Sequence, residues 1–324
     1  MALAPARALK ALCAVLLTGL LAAPAPAVTA SAEPPPPSRP SAGSGPAAPV
    51  AARPPRTPGV RGLEIAVPAY VWADDPVLAE LTATAPAASV VVLNPGNGDA
   101  PFDSSWRARA DALRSGTTAT GERPKVLGYV HTDRGDRDPA AVRASVDNYL
   151  RTSDGGLHVD GIFFDVVSRE CGPGNATRDH YAALRRYVQD TMHSVAPDVP
   201  ELVVDNPGTA TADCYLEPGH RTADVFVTYE GAYADYTSGD WPGGNVFDAA
   251  GAYRPGAELD PSGTAFWHLV HDVPDPAAMR TILATAFARG AGYVYATSAA
   301  MPNPWDTAPA WGYQAQTGYA AALG

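Results

Sequence analysis

The 324-residue chain is poor in cysteine and in positive charge. It has three cysteines, and its 23 lysines and arginines stand against 34 aspartates and glutamates. Residues 61–324 hold 18 of the basic residues and 33 of the acidic ones. A surface this acidic repels phosphate backbones, so we expect no nucleic-acid partner, whereas neutral or cationic partners remain compatible.

Signatures of several common chemistries are also missing. The sequence contains no G-x-S-x-G, no H-E-x-x-H and no phosphate-binding loop, which leaves serine-triad, zinc-protease and nucleotide chemistry without local support. His268 and His271 would point to opposite faces of one strand, which argues against a shared metal ion. We therefore predict neither a metal nor a cofactor.

The chain also lacks an apolar run long enough to cross a membrane. The stretch at residues 11–23 follows Arg7 and Lys10 and is too short to span a bilayer. With the small residues that follow, it predicts a signal peptide over residues 1–32 and a secreted protein without a membrane span. Residues 33–60 contain ten prolines and predict a disordered tether. We expect one folded domain over residues 61–324, as a monomer.

Signal-peptide removal would also simplify the cysteine count. Cys13 lies in the apolar stretch and would be discarded, which leaves Cys171 and Cys214 as an even pair in an exported chain. Both lie in loops after neighbouring predicted strands. The sequence therefore predicts one disulfide between them.

What is present from residue 63 onwards is an alternation of short apolar runs and amphipathic stretches. Runs such as VVVLN and GIFFDVV are continuously apolar, which is typical of strands buried on both faces of a parallel sheet. Eight such strands predict a single (β/α)₈ barrel; a doubly wound sheet is the alternative, disfavoured because no G-x-G-x-x-G follows the first strand. The predicted strands are residues 63–71, 89–94, 125–132, 159–167, 201–206, 223–229, 264–270 and 291–297. The predicted helices are residues 76–84, 104–115, 139–151, 178–194 and 274–289, and residues 231–263 are interpreted as rich in loops.

Polar side chains end most of these strands, where a barrel carries its active site. Asp165 closes the apolar run GIFFD, and Glu230 follows VFVTY. An unpaired buried carboxylate is costly, so each is either functional or held in a salt bridge or helix cap. Two carboxyls converging at a barrel mouth suit a glycosidase, in which one protonates the leaving oxygen and the other attacks or activates water. We predict Asp165 and Glu230 as catalytic residues.

Aromatic residues are frequent in the same segments, although core packing accounts for many of them. Flat rings stack on the apolar faces of sugars, so an acidic cleft rich in aromatics fits a carbohydrate. The predicted substrate-binding residues are Tyr70, Trp72, Asn94, Tyr129, Asp205, Asn206, Tyr233 and Trp241.

Six short motifs occur in a fixed order, and together they carry a resemblance. They are VPAY at 67–70, VVLNPGNG at 91–98, VLGYVHTDRGDR at 126–137, DGIFFD at 160–165, NPG at 206–208 and YEGAY at 229–233. The combination resembles spherulation-specific family 4, the spherulin 4-like proteins. The resemblance implies a (β/α)₈ barrel and, from characterised fungal members, a glycoside hydrolase that cuts α-1,4-linked N-acetylgalactosamine stretches in galactosaminogalactan. It implies Asp165 and Glu230 as acids of the family motif.

One position departs from the family pattern. Val166 stands where the family usually has a glutamate directly after the aspartate, and Glu170 or Asp205 are the candidates to replace that acid. Two functions therefore stay open. The first is a secreted, endo-acting hydrolase of an amino-sugar exopolysaccharide. The second is a non-catalytic polysaccharide-binding or cell-surface, dormancy-associated protein that has lost activity.

Overall fold

A computed structural model describes residues 63–217, 219–238 and 265–323. Within this part, eight parallel strands close into a barrel in sequence order, the last pairing with the first. They are β1 (Glu64–Ala69), β2 (Val90–Leu93), β3 (Lys125–His131), β4 (Gly161–Asp165), β5 (Leu202–Asn206), β6 (Val225–Ala232), β7 (Ala265–His271) and β8 (Tyr293–Ala296). The predicted (β/α)₈ barrel is confirmed. The predicted signal peptide and tether lie outside the described residues.

All eight predicted strands are found, and β6 departs most from its predicted bounds. It continues to Ala232 instead of ending at Tyr229, and its pairing with β7 is irregular between Val227 and Tyr229. Such a bulge adds a residue to one strand and re-aims the side chains that follow. Glu230 therefore lies within a strand rather than after it.

Seven α-helices accompany the described strands. They are α1 (Pro76–Ala83), α2 (Ser104–Arg114), α3 (Pro139–Leu150), α4 (Ala176–Val195), α5 (Tyr233–Thr237), α6 (Pro276–Ala288) and α7 (Tyr313–Leu323). The five predicted helices are present, whereas α5 and α7 were not predicted. Helix α5 is a short turn in a segment interpreted as loop, and α7 is rich in alanine and interrupted by Gly318, so its apolar face is poorly marked.

The helix starts follow directly from local sequence. In α1, α3 and α6 an aspartate is followed by proline, and each of the carboxylates of Asp75, Asp138 and Asp275 accepts the backbone N–H two residues later. Aspartate satisfies an N–H that has no partner within the helix, and proline at the first helical position has no N–H to satisfy. These caps fix where each helix leaves the loop at the barrel mouth.

A column of aromatic rings fills the barrel interior. The ring of Phe163 lies between those of Tyr129 and Trp267, with centroid distances of 6.2 and 5.6 Å. The ring of Tyr293 follows that of Trp267 at 6.4 Å. The interior is thus packed rather than hollow, and Tyr129 stands at the end of the column nearest the carboxyl ends of the strands.

The predicted disulfide is confirmed. Cys171, after β4, is bonded to Cys214, after β5, with a Cα–Cα distance of 6.2 Å. In the chain-entropy model, closing the loop between them stabilises the fold by about 4 kcal/mol. The bond fixes two neighbouring loops at the mouth of the barrel.

Candidate active site

The two predicted catalytic carboxyls lie at the mouth of the barrel and share one hydrogen-bond donor. Asn206 Nδ2 donates to Asp165 Oδ1 at 2.7 Å and to Glu230 Oε2 at 2.9 Å. These two carboxyl oxygens are therefore no more than 5.6 Å apart, the sum of the two bonds. Neither carboxyl has an arginine or lysine ion-pair partner among the described residues, so a salt bridge does not account for either one.

The remaining oxygens of the pair also accept from neutral donors. The hydroxyl of Tyr129 donates to Asp165 Oδ2 at 2.6 Å. The indole Nε1 of Trp305 donates to Glu230 Oε1 at 3.0 Å. Neutral donors orient a carboxyl without cancelling its charge, so both groups keep the ability to gain or lose a proton.

The NPG turn after β5 sets the orientation of Asn206. The backbone N–H of Gly208 donates to Asn206 Oδ1 at 2.8 Å, which directs the amide NH₂ at the two acids. The Gly208 carbonyl in turn accepts the backbone N–H of Glu230 at 3.0 Å. Gly208 has a φ of +67°, a left-handed conformation that favours glycine. This turn holds Asn206 and Glu230 in one geometry.

The environment raises the proton affinity of both acids. Removal from water, and next the negative charge of Asp165, raise the pKa of Glu230 to about 7. Removal from water also raises the pKa of Asp165, and the hydrogen bonds from Tyr129, Val166 N–H and Asn206 act in the opposite direction. The pair can therefore hold a proton near neutral pH, as acid catalysis needs.

Tyr70 and Tyr129 form an aromatic wall beside the pair. Their rings meet edge to face with centroids 5.3 Å apart. The Tyr70 N–H donates to the Trp305 carbonyl at 2.9 Å, which ties the end of β1 to the loop after β8. Burial, and next the charge of Asp165, raise the pKa of Tyr70 well above its ordinary value, so its hydroxyl stays protonated.

Asp205 does not join the site. It precedes Asn206 in β5 and faces the other side of the strand, where it is fully buried and accepts from the Thr222 hydroxyl at 2.6 Å. Burial raises its pKa to about 8. The prediction of Asp205 as a substrate-binding residue is corrected, because strand alternation places it behind the barrel wall.

The other candidate for the missing family acid is also placed elsewhere. Glu170 lies in the loop after β4 with its side chain 71% exposed, in contact with Arg169 Nε at 3.1 Å. Val166 directly follows the last residue of β4 and has a φ of 53°, an unusual conformation for a β-branched residue. Strand alternation therefore does not decide where Val166 points.

Backbone hydrogen bonds hold Val166 in this conformation. Its carbonyl accepts the Arg134 N–H at 2.7 Å and the Thr132 hydroxyl at 2.9 Å. Its own N–H bonds to the Asp165 carboxylate. Val166 thus contributes to the site through its backbone.

The remaining predicted binding residues fall into different places. Asn94 follows β2 at the mouth, and its Oδ1 is buried without a hydrogen-bond partner among the described residues. Tyr233 is the first residue of α5 and packs partly buried against the core. Trp72 is exposed and lines a groove beside α2, apart from the two acids. Trp241 lies outside the described residues.

Sequence reasoning missed Trp305. It lies 75 residues after Glu230 in a loop rich in proline, where no strand or motif marks it. Its side chain is only 5% exposed, with its ring 6.2 Å from that of His271 at the end of β7. The available signal was a tryptophan in a proline-rich segment that precedes a helix, and this signal is weak.

The described residues bring together no group of three or more histidine, cysteine, aspartate or glutamate side chains suited to a metal ion. No helix in the described part of the chain is both long and apolar enough to cross a membrane.

The barrel and its paired carboxyls define an acidic site at the carboxyl ends of parallel strands, the place where this fold carries its chemistry. The model of spherulation-specific family 4 matches residues 64–317, so the chain belongs to that family. Among proteins with curated descriptions, none matches the chain by sequence.

Similar chains are found among solved structures. A crystal structure of Aspergillus clavatus Sph3 in complex with GalNAc is 22% identical, with a TM-score of 0.58, and the match covers 81% of this chain and 98% of that one. A Cellulomonas fimi endo-β-1,4-mannanase double mutant is 17% identical, with a TM-score of 0.48, over 82% of this chain and 72% of that one. A family 39 glycoside hydrolase from Bacteroides cellulosilyticus is 12% identical, with a TM-score of 0.45, over 81% and 63%.

Proposed function

We propose that the protein is a secreted glycoside hydrolase that cuts inside an amino-sugar polysaccharide, with Asp165 and Glu230 as its catalytic pair. The observation that carries the proposal is the shared Asn206 donor, which keeps one oxygen of each carboxyl within 5.6 Å of the other at the barrel mouth. Family membership and the GalNAc bound to Sph3 support α-1,4-linked N-acetylgalactosamine stretches as the substrate. Residues 1–32 supply the export signal.

The carboxyl separation favours a retaining reaction. Retaining glycosidases hold their two carboxyls about 5–5.5 Å apart, whereas inverting enzymes leave about 6.5–9.5 Å for a water molecule. In the first step, Asp165 attacks the anomeric carbon while Glu230 gives its proton to the leaving glycosidic oxygen. In the second step, Glu230 takes a proton from water, whose oxygen displaces Asp165 from the sugar.

Hydrogen bonds and burial support this division of parts between the two acids. The pKa of Glu230, raised to about 7, keeps that carboxyl protonated below neutral pH, as a general acid requires. Asp165 accepts from Tyr129, Asn206 and the Val166 N–H, three donors that stabilise its ionised form. In an α-linked substrate the acetamido group is cis to the leaving oxygen and cannot attack from the rear, so a protein carboxylate or a water molecule must do so.

The test is digestion of purified polymer followed by sizing of the products. We expect Glu230→Gln to lower the rate by about 10²-fold or more, the size of a lost general acid, while the protein stays folded. On an aryl glycoside whose leaving group needs no proton, the first step should be largely spared. Glu170→Gln, which removes an exposed carboxyl after β4, is the matched control. A Glu230→Gln protein that folds and cuts polymer at the wild-type rate would overturn the proposal.

Val166 favours a second candidate, a protein that binds polysaccharide without cutting it. Val166 stands where the family usually has a glutamate, and neither Glu170 nor Asp205 takes the place of that acid. If the wild-type chain binds polymer and releases no product, this candidate is correct. Val166→Glu is then the variant in which to look for restored cleavage.

A further inference from the structure

Trp72 is exposed in a way that core packing does not explain. In the described part of the chain, Trp72 and Met301 are the two large apolar side chains that are strongly exposed, at 66% and 65%. Trp72 borders an open groove of about 720 Å³ between the loop after β1 and the first turns of α2. The groove is lined by Trp72, Ala73, Asp74, Asp103, Ser105, Trp106, Ala108 and Arg109.

The groove is separate from the catalytic pair but begins close to it. None of its lining residues is a hydrogen-bond partner of Asp165 or Glu230. Trp72 is two residues beyond Tyr70, whose N–H is bonded to the carbonyl of Trp305. Two residues span at most about 7 Å, so the groove adjoins the rim of the barrel mouth. A polymer lying across the mouth could occupy both places.

The charges in the groove favour a cation. Asp74 is exposed and its carboxylate makes no hydrogen bond or ion pair with any described residue. Asp103 caps α2 with one oxygen, and the hydrogen bonds from Ser105 lower its pKa.

Two arginines also lie near the groove, and Arg109 keeps its positive charge because its bond is to a neutral carbonyl, so the lining carries two aspartates against one arginine. Arg109 Nε donates to the Ala73 carbonyl at 3.2 Å. Arg107, whose charge also acts on Asp103, is paired with Asp154 at 2.9 Å. The carboxylate of Asp74 is therefore the charge with the greatest freedom to meet a ligand.

We propose that this groove is a second glycan-binding subsite, which takes an amino-sugar unit with a free amine. The inference rests on the proposed function, which supplies the polymer. The indole of Trp72 stacks on the apolar face of the sugar, and the ammonium group meets Asp74 and Asp103. A ring face also attracts a cation within about 6 Å. A sugar that carries a carboxylate is repelled by the same pair of aspartates.

The experiment measures binding in a Glu230→Gln background, in which polymer is consumed at least about 10²-fold more slowly. The probes are α-1,4-galactosamine oligosaccharides in two forms, fully N-acetylated and partly de-N-acetylated, titrated by calorimetry. We expect the form with free amines to bind more tightly, and Trp72→Ala to weaken its binding about tenfold, or about 1.4 kcal/mol. Asp74→Asn should weaken binding of the free-amine form several-fold and leave the acetylated form unchanged. Met301→Ala, which removes the other exposed apolar side chain, should change neither.

Two results would overturn the inference. Unchanged affinity of Trp72→Ala for both forms removes the subsite, and an equal loss for both forms in Asp74→Asn removes its preference for the amine. Cleavage by the wild-type chain is measured separately on fully acetylated oligosaccharides. If no cleavage occurs but Trp72→Ala still loses binding, the proposed function fails and the subsite stands.

Discussion

Two aspartates lie at the two ends of strand β4, and their hydrogen-bonding environments are opposite in charge balance. Asp160 precedes the strand, is fully buried and faces Arg123 at 2.7 Å and Arg114 at 3.3 Å. It also accepts the Val126 N–H at 2.9 Å. Asp165 ends the strand and accepts from uncharged donors, with Glu230 as its near neighbour. One strand thus carries a charge-balanced carboxylate at one end and an unbalanced one at the other.

The difference separates a structural acid from a chemical one. Two guanidinium groups pair with Asp160, which joins β4 to the segments beside it. Neutral donors and a second carboxyl leave Asp165 and Glu230 able to gain or lose a proton. Asp205 is a third case. Burial raises its pKa to about 8, and it accepts a hydrogen bond from a hydroxyl instead of pairing with a cation.

The sharpest test of this comparison is Asp165→Asn. We expect activity on polymer to fall by about 10²-fold or more, because the nucleophile is lost. The midpoint of thermal unfolding should not fall, because the change also removes the repulsion between Asp165 and Glu230. Digestion assays and calorimetry measure the two effects. A large loss of stability would mean that Asp165 is a structural acid like Asp160.

Asp160→Asn should give the opposite pattern. Asn at this position takes the buried anion from Arg123 and leaves Arg114 with Asp111 alone, which should cost about 3 kcal/mol of unfolding free energy. Urea denaturation measures this loss, with Asp165→Asn as the matched comparison at the other end of the strand. Activity per folded molecule should be retained, since Asp160 lies at the end of the barrel away from the mouth.

The raised pKa of Glu230 predicts a pH dependence of stability. Between the ordinary value of 4.5 and about 7, the folded state holds a proton that the unfolded state has released. The free energy of unfolding therefore falls as pH rises through this window, and the fall is complete near its upper end. Glu230→Gln should flatten that slope in urea unfolding series between pH 4 and pH 8. An unchanged slope would show that Glu230 titrates normally.

The smallest expected effect is that of Trp305→Phe. The indole donor lowers the pKa of Glu230, so its removal should raise that pKa by about one unit, or about 1.4 kcal/mol. The alkaline limb of kcat/KM against pH should shift upwards by the same amount. A merely structural tryptophan would change stability and leave the limb in place. Trp311→Phe, in the same loop, serves as the control.

Strand positions, helix starts and the disulfide could be read from the sequence because they depend on local chemistry. Continuous apolar runs such as GIFFD predict doubly buried strands, and Asp-Pro pairs such as Asp275-Pro276 predict helix starts. Cys171 and Cys214 could be paired because sequence-adjacent strands are neighbours in a barrel. The bulge in β6 and the end of β4 before Val166 were beyond this reasoning, because they depend on pairing with other strands.

The sequence by itself determined the barrel, its strand order and the arrival of Asp165, Asn206 and Glu230 at one mouth, since parallel strands present their carboxyl ends together. Only the tertiary structure decided which side chains meet there. Strand alternation turns Asp205 to the outer face while Asn206 bridges the acids. The loop after β8 brings Trp305 onto Glu230 from 75 residues away. Hydrogen bonds between residues so far apart in the sequence depend on packing of the whole chain, and no local pattern encodes them.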